Sequence, residues 1–209
     1  TLPYFHDESI AFVQASHFAY NKETVWGKYM GYGADLHWKY YQRYRNKYGL
    51  VNFLGHGAII DLRKLKKIGG FPEVVSEDIA LTIEFGEHGF RGIFAEDIIC
   101  GETFPSSYTA FRKRHKKWAQ GTAEFLRKYM SRILLCKKLK WYEKLDIIIP
   151  CLSMPITILY GLLIVISLFY GIPFSYVILI PSLLTILSPN FIFLDLGIKE
   201  GLKAFAINA

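Results

Sequence analysis

Between Asp146 and Asp195 the chain carries no charged residue, and this run limits what it can fold into. Gly171 divides it into two apolar stretches, 147–170 and 172–194. Each exceeds the roughly 20 residues a helix needs to cross a hydrocarbon core about 30 Å thick. The pattern predicts two transmembrane helices over 147–194. Neither reads as a secretory signal peptide, because the run lies at the far end of the chain.

Charge orients these spans. Residues 1–104 hold 11 Lys/Arg and 13 Asp/Glu, 105–144 hold 12 and 2, and 145–209 hold 2 and 3. The regional nets of −2, +10 and −1 make up the chain's +7. Basic charge packed just ahead of the first span holds that end on the cytoplasmic side and draws anionic lipid headgroups. The reading is an integral membrane protein whose residues ahead of the first span face the cytoplasm, with membrane lipids as partners. The loop around Gly171 and Pro173 would face outward, and Lys199 and Lys203 would return inside. No nucleic-acid motif accompanies the basic run at 112–117, so no nucleic-acid partner is expected. Cys100, Cys136 and Cys151 have neither paired spacing nor a His partner at ligand spacing, so no disulfide and no metal ligand is assigned within this chain.

Ahead of the basic region the pattern alternates. Ile10-Ala11-Phe12-Val13-Gln14 reads as a buried strand, close enough to Thr1 to suggest that the sequence opens inside a domain. Residues 23–48 read as helical, and Phe53 to Ile60 as a loop entering a strand. Residues 62–68 form a short basic helix stopped by Gly69-Gly70. Ser76 is placed to cap a helix running to about His88, and 92–100 is the next strand. Pro105 opens a long helix to about Tyr129, and 137–143 is a basic, aromatic approach to the apolar run. The organisation expected is an α/β portion over 1–130, basic interfacial helices within 105–144, and the membrane pair at 147–194.

Two features carry chemistry. Glu77 and Asp78 open a helix, where exposed N–H groups favour carboxylates; the pair is either a cap or a source of a general base. Trp118 lies on a basic helix and is either an anchor or a stacking face for a sugar ring.

The order of these pieces resembles the membrane-bound family 2 glycosyltransferases, the group of cellulose, chitin and hyaluronan synthases. Ser76-Glu77-Asp78 is similar to the family's Thr-Glu-Asp triplet, whose last residue is the base, which nominates Asp78 with Glu77 beside it. Arg114-His115-Lys116-Lys117-Trp118 stands in the frame of Gln-x-x-Arg-Trp. It keeps the Trp and replaces the Arg by Lys117, which lacks a planar fork. Phe53-Leu54-Gly55-His56 resembles the Phe-x-Gly-Thr/Ser loop at the acceptor end, and Val13-Gln14-Ala15-Ser16-His17 the Val-Gln-x-x-His strand end. Glu102, ahead of Pro105, also matches many members and reads as structural.

The resemblance implies the acceptor half of an A-type (GT-A) glycosyltransferase domain followed by an interfacial helix and two transmembrane helices. Its partners would be a nucleotide-sugar donor and a saccharide or lipid-linked acceptor. Asp78 would be the base, and Trp118 the acceptor platform. Arg114 and Lys117 would neutralise phosphate, while Gly55, His56, Gln14 and His17 would line the site. A divalent metal, Mg or Mn, is expected through an upstream Asp-x-Asp motif, which this sequence does not contain. The function implied is inverting sugar transfer at the cytoplasmic membrane face, extending to processive polysaccharide synthesis. The alternatives are a non-processive lipid-carrier transferase and a catalytically silent membrane scaffold.

Overall fold

The computed structural model describes residues 2–170 and 197–208. It divides into two compact units, residues 1–151 and 152–209. All candidate site residues lie in the first.

The first unit is built on a three-stranded sheet of order β2-β1-β3. The central strand β1 (Ile10–Ala19) pairs antiparallel with β2 (Ala58–Ile60) and parallel with β3 (Arg91–Glu102). Ile10, Ala11, Phe12, Val13 and Gln14 are all buried, as expected of a strand with neighbours on both sides. The β1–β3 register shifts twice, by one residue between Ile10 and Phe12 and more widely in mid-strand: Ala15 faces Ala95, yet the next residue, Ser16, faces Ile99. Residues 96–98 are therefore surplus on β3, and the strand bends there before carrying Glu102 to the end of the sheet opposite Ala19.

Helix α1 (Val25–Leu36) is capped by the Thr24 hydroxyl, which accepts from the Gly27 N–H. It continues through a π-helical turn, His37–Gln42, into α2 (Arg43–Tyr48). The short α3 (Leu62–Lys67) is capped by Asp61 and stopped where Gly69 and Gly70 both take positive φ. Helix α4 (Glu77–His88) buries Leu81, Ile83 and Phe85 completely and ends at Gly89 in the left-handed conformation. Leu81 and Phe85 join Phe12, Trp38, Val51, Phe53, Leu65 and Phe94 in one apolar cluster. Each such side chain contributes about 1.5–3 kcal/mol by leaving water, so α4 is pinned to the sheet and its N-terminus has little freedom.

The long helix α5 (Tyr108–Leu135) begins later than Pro105, because the Ser107 hydroxyl is the capping group, accepting from the Ala110 N–H. It buries Gly121, Phe125, Tyr129 and Ile133. Arg132 clamps it to α4 through Glu84 and Glu87, and the Tyr129 hydroxyl also donates to Glu84. Helix α6 (Trp141–Tyr170) starts where the Glu143 carboxylate accepts from the Lys140 N–H and binds Arg91 of β3 at 2.6 Å. The last described helix is α7 (Ile198–Asn208).

The membrane hairpin expected over 147–194 is not shown among the described residues. No single helix among the described residues is long and apolar enough to cross a membrane. Trp141–Ser153 and Ile158–Ser167 meet the length and composition only when joined across a bend. Pro155 sits in the break between them, and its ring and missing N–H are the usual cause of a kink. The second expected span, 172–194, lies outside the described residues.

Candidate active site

Four segments converge beside the N-terminus of α4. The acidic triplet is held by α5: Glu124 accepts from the Val75 N–H at 2.9 Å, and Gly121 leaves room for Ser76 to lie against the helix. Ser76 occupies the N-cap position, but its hydroxyl makes no capping hydrogen bond, contrary to the expectation from sequence. The hydroxyl is turned towards Gly121 instead.

Val75, Ser76, Glu77 and Asp78 form one wall of a cleft of about 150 Å³, and Lys117, Trp118 and Thr122 form the other. The acidic triplet and the Trp, forty residues apart in sequence, thus face one space. Glu77 is exposed, while Asp78 is half-buried. Burial pushes the Asp78 carboxyl above its ordinary value, and Glu77 adds to this; the Ile79 N–H, donating to Oδ1 at 2.8 Å, opposes it. A helix N-terminus alone would favour the ionised form, but desolvation outweighs it here and leaves a carboxylate with raised proton affinity.

The Phe53-Leu54-Gly55-His56-Gly57 loop lies behind Asp78, and neither Gly55 nor His56 lines the cleft as the sequence led us to expect. Thr82 ties it to α4, accepting from the Phe53 N–H at 2.8 Å while donating to the Asp78 carbonyl. Gly55 (φ 80°) lies against Asp78: a Cβ there would stand 3.8 Å from that of Asp78. Gln14 does not line the cleft. It is fully buried, accepts from the Leu54 N–H and donates to the His56 carbonyl, so it fixes the loop from behind. His17 is buried as well, between the rings of Trp38 and His56, each 4.2 Å away.

Glu102 sits where these parts meet. Its Oε1 accepts from Arg114 Nη2 at 2.9 Å, and its Oε2 lies 3.4 Å from His56 Nε2 and 3.5 Å from His17 Nδ1. Burial alone would raise the Glu102 carboxyl, but His17, His56 and Arg114 together hold it well below the usual carboxylate range. The Arg114 guanidinium stacks on Trp118, 4.4 Å from the ring centroid. Arg114 is therefore committed to Glu102 and Trp118, whereas Lys117 faces the cleft. In sequence, the place of Glu102 before Pro105 is its only signal, since its partners lie on three other segments.

Ligand atoms of His17, His56 and Glu102 fall within 4.8 Å of one another, a separation a metal ion could span. The proton pattern does not suit one. The Gln14 amide is oriented by its bonds to Leu54 and His56, so its NH₂ faces His17 Nε2 at 3.3 Å. An amide nitrogen only donates, so the His17 proton belongs on Nδ1, the atom that a metal would need free. The other donor atom, His56 Nε2, already faces a carboxylate bound by Arg114.

A larger cavity of about 290 Å³ is lined by Tyr40, Tyr41, Tyr44, Tyr48 and Tyr142 with Arg45 and Asp146. Both Asp146 oxygens are engaged by Arg45, so it offers no free acid. The smaller cleft, with an acid of raised proton affinity facing an aromatic ring, is the site equipped for chemistry.

An α/β unit that sets a half-buried carboxylate at a helix N-terminus opposite an indole is suited to moving a proton beside a bound ring. The family model for glycosyl transferase family group 2 matches residues 1–188, and the chain belongs to that family. It is similar to glucomannan 4-beta-mannosyltransferase 1 of Cyamopsis tetragonoloba, 24% identical over 152 residues, covering 71% of this chain and 29% of the relative. It is also similar to probable glucomannan 4-beta-mannosyltransferase 11 of Arabidopsis thaliana, 26% identical over 152 residues, covering 71% and 34%. The chain spans about a third of the length of the curated relatives it matches.

Proposed function

We propose that the protein is a membrane-bound transferase that moves a hexosyl unit from a nucleoside-diphosphate sugar to a saccharide hydroxyl, with inversion. Asp78 takes the hydroxyl proton as the acceptor oxygen bonds to the anomeric carbon, and the carbon–oxygen bond to the diphosphate breaks with its electron pair leaving on the nucleotide. Trp118 stacks the acceptor ring so that its hydroxyl is held towards Asp78, and Lys117 supplies positive charge for phosphate. A divalent metal would neutralise the leaving diphosphate, held through an Asp-x-Asp motif that this sequence does not contain. The observation that carries the reading is that Asp78 and Trp118 line one cleft.

The names of the mannosyltransferase relatives support a polysaccharide product and make a mannosyl donor the first to test. The net +10 of residues 105–144 supports a cytoplasmic catalytic face. The experiment is transfer of radiolabelled sugar by the full-length protein in membranes, with Asp78→Asn as the control. Transfer by the parent but not by the variant supports the reading. Equal transfer by both removes Asp78 as the base.

A further inference from the structure

We infer that Glu102 is a positioning residue of this site, a single carboxylate that holds the Gly55 loop against Asp78 through His56 and holds the Trp118 ring through Arg114. The inference rests on the reading of Asp78 and Trp118 proposed above.

Proton positions carry the first step. His56 Nδ1 lies 3.0 Å from the Leu54 carbonyl oxygen, an atom that can only accept, so Nδ1 carries a proton. His56 Nε2 faces Glu102 Oε2 at 3.4 Å. Were Nε2 bare, its lone pair would oppose a carboxylate oxygen; the contact is attractive only when Nε2 is protonated too. Both His56 nitrogens thus face acceptor oxygens, an arrangement that favours the protonated ring, and the Glu102 carboxylate raises its proton affinity against the opposing effect of burial. The charged and titratable groups facing it are Glu102 from β3, His17 from β1, Arg114 from α5 and Asp78 from α4.

His17 supplies the third N–H. Its Nδ1, on a ring 3% exposed, makes no hydrogen bond among the described residues, and lies 3.5 Å from Oε2. The carboxylate is therefore surrounded by N–H groups from β1, the loop and α5, and its two oxygens divide the work. Oε2 takes the loop side. His56 anchored there fixes the loop whose Gly55 abuts Asp78, and Gln14 locks the same loop from below. Oε1 takes the platform side. The Arg114 guanidinium it binds lies 4.4 Å from the Trp118 ring centroid and 5.4 Å from that of Phe104, so the ion pair sets the indole's tilt and height. Glu102 itself is not among the residues lining the cleft. It acts on acceptor geometry through two intermediaries.

The test uses the full-length enzyme, purified in detergent with its donor and a saccharide acceptor. Glu102→Gln keeps the shape and removes the charge. Its acceptor KM should rise about tenfold or more, with donor KM unchanged and the melting temperature close to that of the parent. In a double-mutant cycle with Trp118→Ala, the two effects on acceptor KM should be strongly non-additive. A purely structural Glu102 would instead lower the amount of folded enzyme, leave KM alone and give additive effects, which would overturn the proposal.

Should Glu102→Gln fail to fold, Arg114→Lys carries the test. It retains the ion pair but not the planar stack, so acceptor KM should still rise; an unchanged value overturns the proposal. Stoichiometric zinc binding that depends on Glu102 would overturn it as well, because the proton pattern would then be wrong. If Asp78→Asn and Trp118→Ala leave acceptor kinetics intact, the site reading itself fails. If those two impair transfer and Glu102→Gln does not, only the positioning role falls.

Discussion

Gly121 on α5 and Ser76 of the acidic triplet are in direct apposition: a methyl group on Gly121 would stand 2.3 Å from the Ser76 hydroxyl oxygen. The hydroxyl can rotate away, but the Val75 side chain at 3.2 Å and the Ser76 Cβ at 3.4 Å leave the methyl group tight against the segment. Gly121→Ala should therefore push the triplet off α5, costing about 1–3 kcal/mol of stability by overpacking. Transfer measured per folded molecule should fall as well, because Asp78 moves with the segment. Unchanged melting and unchanged turnover would mean that α5 does not hold the triplet.

Asp78→Asn should lower transfer by about a hundredfold or more, the scale for losing a positioned acid or base. The same substitution should raise stability. Burial lifts the Asp78 carboxyl above its ordinary value, so the native state holds that proton more tightly than the unfolded chain does. The ionised carboxylate thus weakens the fold above its titration range and stops doing so as pH falls through it. The variant should melt above the parent near pH 7, and the gap should close towards about pH 4. Parent activity should decline over the same acid limb, as the base becomes protonated.

Trp118→Ala should raise acceptor KM or shorten the product while leaving donor KM nearly unchanged, since the ring offers an apolar face and no charge. Lys117→Ala should show the opposite pattern, weakening the donor. Trp118→Phe separates a sugar platform from a lipid anchor: a smaller ring still anchors, but covers less of a pyranose. Steady-state kinetics with donor and acceptor varied in turn decides the matter. Unaltered activity per folded molecule in both Trp118 variants would make it an anchor.

The proposed membrane topology is open to chemical labelling. A cysteine at Gly171 should react with an impermeant thiol reagent added outside the cell, and one at Lys199 only after permeabilisation. Reaction of both from outside would discard the hairpin and the cytoplasmic site together.

Much of the fold is legible in local chemistry alone. The run Ile10 to Gln14 is apolar enough to require cover on both faces, and it forms the central strand. Gly69-Gly70 stops α3 where the sequence places the stop, because both residues take a conformation that other side chains avoid. The hidden part depends on long-range encounter. Gln14 carries the same amide whether it lines a cleft or braces a loop, and only its bonds to residues forty positions away distinguish the two. Glu102 reads in sequence as an isolated acid at the end of a strand, because His17, His56 and Arg114 reach it from separate elements. Ser76 has the right residue type for a cap, but the close approach of α5 takes its hydroxyl elsewhere.

The surplus residues on β3 bear on how this protein can change. Ala95 and Ile99 are each registered to β1 on their own account, against Ala15 and Ser16, so the three residues between them are slack in the pairing, although Glu96 meets Arg43, Asp97 accepts from the Tyr4 hydroxyl and Ile98 packs against the core. Glu96 and Asp97, which form most of that slack, are exposed. Lengthening or shortening it should leave Phe94 in the core and Glu102 beside Arg114, because each is registered to β1 independently of the other. The strand behaves as two independently fastened pieces. Its interior half is constrained by packing and its far half by the site, so each can drift without dragging the other. The join at 96–98 is accordingly where a short insertion should be tolerated best, at the cost of the Arg43–Glu96 and Tyr4–Asp97 contacts.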